Sequence, residues 1–143
     1  SLGIVYAPYY DRLFFSYGNG LSFEIKQGKK IILNCEKKNF NQIIGLTNSD
    51  ITPIEVLEIY KKYNVSKTVK MSSSLKFCII AAGEADIYAA GARAFEWDIA
   101  AGHAILECAN GSVTTHDSKE ILYGKKNFRN LPLIAKGKIN LVK

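Results

Sequence analysis

A layered α/β domain is the fold class this sequence predicts, and three observations predict it. The first 34 residues are strand and turn throughout, strands and helices alternate after residue 40, and one stretch has apolar residues at helical spacing. At 143 residues the chain is one domain by size, with enough length to bury a sizeable core.

The elements follow in order. Residues 2–7 (LGIVYA) and 12–17 (RLFFSY) are β-branched and aromatic runs joined by Pro8–Asp11, which reads as a hairpin. A second ribbon is expected from 21–26 and 30–34, turned at Gln27-Gly28-Lys29, and Ile43–Thr47 reads as a short buried strand. Thr52-Pro53-Ile54-Glu55 has the pattern of a helix start, with Thr52 as N-cap, Pro53 in the first helical position and Glu55 closing a capping box. Val56, Ile59, Tyr60 and Tyr63 then recur at i, i+3, i+4 and i+7 as the buried stripe. Val65–Lys70 alternates as a strand, and Ser72–Ala82 reads as a second helix stopped by Gly83. Ala85–Tyr88 is a brief strand, 97–109 a third helix, and Gly111–Thr114 and Leu131–Ala135 the last strands. Domain organisation is expected as β-ribbons over 1–36 and an α/β unit over 37–143.

The composition excludes several classes. No apolar run approaches the ~20 residues a membrane span needs. The net charge of +6 comes from lysines scattered as pairs and singles, with no recognition-helix, zinc-finger or RNP-type motif, so a nucleic-acid partner is not expected. Three widely separated cysteines (Cys35, Cys78, Cys108) fit neither a disulfide framework nor a zinc site, and a reducing cytoplasm is the expected compartment. His103 and Cys108 are five apart on one helix and do not share a face, which disfavours a Cys–His nucleophile pair. No nucleophile elbow, P-loop or dinucleotide fingerprint occurs.

Two constellations could carry chemistry. Asp98 precedes Ile99-Ala100-Ala101-Gly102 at a helix head, where its carboxylate either caps backbone N–H groups or joins substrate phosphate around a hard cation such as Mg²⁺. The three small residues would let a backbone or a ligand come close. Ser72-Ser73-Ser74-Leu75-Lys76 opens the preceding helix with hydroxyls, free N–H groups and a cation. It reads either as a phosphate cradle or as a serine cap beside a solvated lysine. Arg93 stands five residues before Asp98, as a surface residue or a phosphate clamp.

Trp97-Asp98-Ile99-Ala100-Ala101-Gly102, with Ala104-Ile105-Leu106 and Gly111, resembles the C-terminal signature of the inositol monophosphatase superfamily. Within it, Ser73 to Cys78 (SSLKFC) and Glu96 to Ala104 (EWDIAAGHA) look like the 3'(2'),5'-bisphosphate nucleotidases of the CysQ type, and LGIVYAP resembles the strand after the family's central metal motif. The resemblance implies a layered sugar-phosphatase (inositol monophosphatase-like) fold. In that fold the chain would supply the C-terminal sheet, its flanking helices and strands left over from the N-terminal sheet. It implies a Mg²⁺-dependent phosphomonoesterase hydrolysing 3'-phosphoadenosine 5'-phosphate, a by-product of sulfate assimilation, to AMP. Asp98 would ligate metal, and Ser73, Ser74, Lys76, Arg93 and Glu96 would meet the substrate.

Some positions depart from the pattern. Asn110 replaces a glycine, Ser72 stands where glycine is usual, and Ala90 replaces a frequent arginine. Gly91 occupies the place, seven residues before Asp98, where inositol-specific members carry glutamate, which favours a nucleotide. An inositol or sugar monophosphatase and a non-catalytic anion-binding fragment are the alternatives. The family's upstream glutamate and D-P-[ILV]-D-G-T motif do not occur in this chain. The expectation is therefore a C-terminal half, inactive alone, whose partner is the missing N-terminal half of the same enzyme.

Overall fold

The computed structural model describes residues 2–18, 20–36 and 41–140. Leu2–Ala7 (β1) and Arg12–Tyr17 (β2) form the expected hairpin, paired from Leu2↔Tyr17 to Ala7↔Arg12. Ser22–Lys26 (β3) and Lys29–Ile32 (β4) make the second ribbon. Its turn is Gln27-Gly28, with φ of 51° and 71°, the mirror-image geometry whose twist matches that of the flanking strands. The four strands form one antiparallel sheet in sequence order.

A second sheet holds Ile43–Thr47 (β5), Val65–Lys70 (β6), Ile87–Ala90 (β7), Ser112–Thr115 (β8) and Leu133–Lys136 (β9), in the order β6-β5-β7-β9-β8. β5, β6 and β7 run parallel, and β9 is antiparallel to both β7 and β8. β7 lies two residues later than the alternation suggested. The expected boundary after residue 36 adjoins residues 37–40, which lie outside the described residues.

Ile54–Lys62 (α1), Leu75–Ala81 (α2) and Glu96–Cys108 (α3) are the helices. Two helix starts differ from expectation. Pro53 is the N-cap of α1 rather than its first residue, because its ψ of 147° is extended, and no side chain caps the helix. The capping box of Thr52 and Glu55 is therefore not formed. α2 begins at Leu75, three residues after Ser72, because Ser73 adopts φ 66°, which a right-handed helix cannot contain. Its end is as expected: Gly83 at φ 71° donates to Ile80 O and Glu84 N to Ile79 O, the paired bonds of a Schellman cap.

α2 and α3 lie between the two sheets, and α1 covers the far side of the second sheet. Side-chain alternation along β7 and β9 divides the interior accordingly. Tyr88, Ala90, Leu133 and Ala135 join Phe14, Ile105 and Leu106 in the larger core, while Ile87, Ala89 and Ile134 pack with Val56, Ile59 and Tyr60 of α1. Close approach depends on small residues. A Cβ on Gly3 of β1 would sit 2.4 Å from Ala101 O of α3, and one on Gly102 of α3 would sit 2.8 Å from Phe77 Cβ of α2.

Arg12 ties the first sheet to α2. Its Nε lies 2.5 Å from Glu24 Oε1 on β3, and its Nη1 donates to Glu84 Oε2 at 3.0 Å, just past the Schellman cap. Burial by itself would lower the guanidinium pKa, but hydrogen bonds to Glu24 and Glu84 outweigh it and raise the value. The sheet's outer face carries Leu2, Ile4, Tyr6, Tyr17 and Ile32, each more than half exposed. Lys30 lies over the Phe23 ring there, at 4.1 Å.

Replacing Arg12 with Met would leave Glu24 buried without its cation. The expected loss is about 3–5 kcal/mol of unfolding free energy by denaturant titration, largely restored by adding Glu24→Met. A loss below about 1 kcal/mol would mean that the ion pair is not what joins these layers.

Candidate functional site

Connections leave the parallel strands toward opposite faces. β5 leads to α1 on one side of its sheet, and β6 leads to α2 on the other. Such a switch opens a crevice at the carboxyl ends of the strands. Here a tyrosine bridges two of the strands. β5 and β7 pair only at Gly45↔Ile87 and Leu46↔Tyr88. One step further on, the buried Tyr60 hydroxyl donates to Leu46 O and accepts from Ala89 N. The phenol bridges the strands where they diverge, and burial pushes its pKa up to about 12.

A cavity of about 490 Å³ opens beyond the diverging ends, lined by Ser73, Ser74, Lys76, Tyr88, Arg93, Trp97 and Asp98 among others. Among the segments that meet there are the residue just past β5, the turn before α2, the end of β7 and the head of α3.

The turn before α2 is held by its own lysine. Lys76 is 3% exposed, and its ammonium reaches back to donate to Ser73 O at 2.6 Å and Met71 O at 3.3 Å. The same nitrogen sits 4.7 Å from the centroid of the Tyr88 ring. No carboxylate pairs with it among the described residues, so the reading of Lys76 as a solvated surface lysine is replaced by that of a buried, unneutralised cation. Burial first, and the nearby charge of Arg93 second, lower its pKa to about 8. Ser73 Oγ accepts from Leu75 N, and Asn48, just past β5, donates to the Tyr88 hydroxyl at 2.7 Å.

At the head of α3, Asp98 Oδ2 accepts the Phe95 N–H at 2.8 Å, so one oxygen caps the helix while the exposed residue also borders the cavity. The two readings of Asp98 are therefore compatible. The residues behind it serve protein packing: the Ala101 carbonyl lies against Gly3 of β1, and Gly102 admits Phe77. Glu96 departs from expectation. It is not among the residues that line the cavity; its carboxylate accepts from Gly124 N at 2.9 Å and Lys125 N at 3.0 Å and pairs with the Lys125 ammonium at 2.6 Å. The Lys125 side chain, helped by the two backbone N–H groups, lowers its pKa to about 2. Glu96 anchors the 122–125 turn.

Ser73, Ser74, Lys76, Arg93 and Asp98 thus come together, and Asn48, Tyr88 and Trp97 join them without having been singled out from sequence as ligand-facing. Asn48 carries no motif, and its position just past a buried parallel strand is the one feature that could have pointed to it. Among the described residues no three His, Cys, Asp or Glu side chains cluster to hold a metal ion. Asp98 by itself does not fit a Mg²⁺ site, since such sites draw on further oxygen ligands. The other chemistry-bearing groups are packed away. His103 Nδ1 lies 2.7 Å from the Tyr123 hydroxyl, and the three cysteines are buried and free.

The profile of the inositol monophosphatase family matches residues 1–138. The chain belongs to this family. The 3'(2'),5'-bisphosphate nucleotidase CysQ of Buchnera aphidicola is 37% identical over 123 residues, covering 85% of this chain and 45% of that protein. The protein of the same name from Escherichia coli K12 is 30% identical over 131 residues, covering 90% and 52%. The crystal structure of CysQ from Bacteroides thetaiotaomicron superposes with a TM-score of 0.82 at 25% identity, over 96% of this chain and 58% of that one. The layered α/β architecture is therefore the family fold, and the chain spans about half the length of the curated relatives it matches. No helix among the described residues is long and apolar enough to cross a membrane.

The buried Lys76 makes a signed prediction. Its folded pKa lies below the unfolded value of 10.5, so the cost of holding the charge is fully present below pH 8 and fades as pH rises toward 10.5. The stability of the natural chain minus that of Lys76→Met, from urea midpoints, should climb between pH 8 and 10.5. A flat difference across that window would refute the assignment.

Proposed function

We propose that this chain supplies the phosphate-binding half of a phosphomonoesterase acting on a 3'(2'),5'-bisphosphate nucleotide such as 3'-phosphoadenosine 5'-phosphate. One observation carries the reading. Among the described residues, two cations without carboxylate partners, Lys76 and Arg93, border one cavity together with the hydroxyls of Ser73 and Ser74. A buried ammonium held by carbonyls and a tyrosine ring is costly unless an anion completes its shell, and a phosphate monoester offers both the charge and the acceptor oxygens. The names of the relatives supply the nucleotide, and Gly91, in place of an inositol-binding carboxylate, is consistent with it.

In this reading Ser73 and Ser74 donate to the phosphate oxygens, while Lys76 and Arg93 offset their charge. Asp98 contributes one carboxylate to divalent metal, Mg²⁺ by the family pattern. The remaining ligands come from the part of the longer protein that this chain does not include. That part is also the partner to which the apolar outer face of the first sheet turns, since an open face of this kind is rarely left to water. A cytoplasmic location fits the three free, buried cysteines.

The test is phosphate release from 3'-phosphoadenosine 5'-phosphate with Mg²⁺ by the longer protein, its Asp98→Asn variant and this chain alone. Substituting groups that merely orient metal ligands costs about 10- to 100-fold, so losing a ligand should cost at least that in kcat/KM. This chain alone should be silent. Turnover of an inositol phosphate with none of the nucleotide would keep the family and overturn the substrate.

A further inference from the structure

We propose that Trp97 is the stacking platform for the nucleobase of the ligand, and so the residue that separates nucleotides from sugar phosphates at this site. The inference rests on the reading of the neighbouring cavity as a phosphate site and adds the recognition of a planar ring.

Three planar groups are already stacked at the head of α3. The Arg129 guanidinium carbon lies 4.7 Å from the centroid of Phe95. The Phe95 and Trp97 rings are parallel to within 7°, with centroids 4.7 Å apart. Trp97 is 65% exposed, although one of its faces is covered by Phe95, and it borders the cavity that holds Lys76 and Arg93. Phe128 approaches at a 46° tilt and does not extend the stack.

The column is fixed from behind by backbone. Glu96 N donates to Phe128 O at 2.8 Å and Asn130 N to Ala94 O at 2.9 Å, which pins the 128–130 segment against the helix start. The Glu96 carboxylate secures the preceding turn through Gly124 and Lys125. An indole already packed on Phe95 loses little conformational freedom when a ligand binds, and the exposed part of its ring suits any base. An inositol or sugar ring offers no π-face. One ligand that places its phosphate near Lys76 and its base on Trp97 would fill both the polar and the aromatic parts of the cavity wall.

Trp97 is the single tryptophan of the chain, so its emission reports the event directly. AMP and ribose 5-phosphate, which share phosphate and sugar and differ by the base, would be titrated into this chain by fluorescence and by calorimetry. Stacking predicts that AMP quenches Trp97 and binds about 5- to 150-fold more tightly than ribose 5-phosphate. Trp97→Ala should erase that ratio, and Trp97→Phe should keep most of it by calorimetry. Equal affinities with unchanged emission would overturn the stacking role while leaving the phosphate site standing. Failure of both compounds to bind would overturn the phosphate reading and this proposal with it.

Discussion

The close passage of α3 between β1 and α2 is the constraint on which the rest of this structure depends. With Gly3 on one side and Gly102 on the other, the helix lies against a strand backbone and against the Cβ of Phe77, with no room for even a methyl group. That packing places the head of α3 beside the head of α2, and the cavity exists because both helices end there. A larger residue at either glycine would push the layers apart by forcing shifts in a close-packed interior. The site is thus a consequence of how layers are spaced, before any of its polar groups are considered.

Electrostatics divide the molecule in two. Away from the site, charge is neutralised with care: Arg12 between Glu24 and Glu84, Glu96 under Lys125 and two N–H groups. At the site it is not. Lys76 is buried against carbonyls and a tyrosine ring, and Arg93 raises the cost of its charge. Among the described residues Lys76 has no carboxylate partner, and holding its charge in a buried setting is costly. Ser73, held at φ 66°, is a second local cost in the same turn.

Much of the architecture was legible because it depends on periodicity. The β1–β2 and β3–β4 ribbons, Ile43–Thr47, the Val56-Ile59-Tyr60 stripe and the Gly83 stop are each set by residues within one element. The errors fell at helix starts and at strand bounds such as those of β7, two residues later than expected. Thr52-Pro53-Ile54-Glu55 reads as a capping box, yet an extended Pro53 stands outside the helix; three serines read as a first turn, yet Ser73 is left-handed. In both cases a segment that approaches the crevice follows tertiary contacts rather than local propensity.

The sequence by itself determined the strand and helix pattern, the small-residue surface of α3 and the set of polar residues that could meet a phosphate, because these are written in spacing and residue type. Only the tertiary structure decided which of them meet. It turned Glu96 into an anchor for a distant turn, buried Lys76 without a carboxylate partner among the described residues, let Asp98 cap a helix while bordering the cavity, and stacked Trp97 on Phe95 while leaving it 65% exposed. Each outcome depends on neighbours far away in the chain, and desolvation, charge compensation and ring stacking are properties of those neighbourhoods, not of the residues alone.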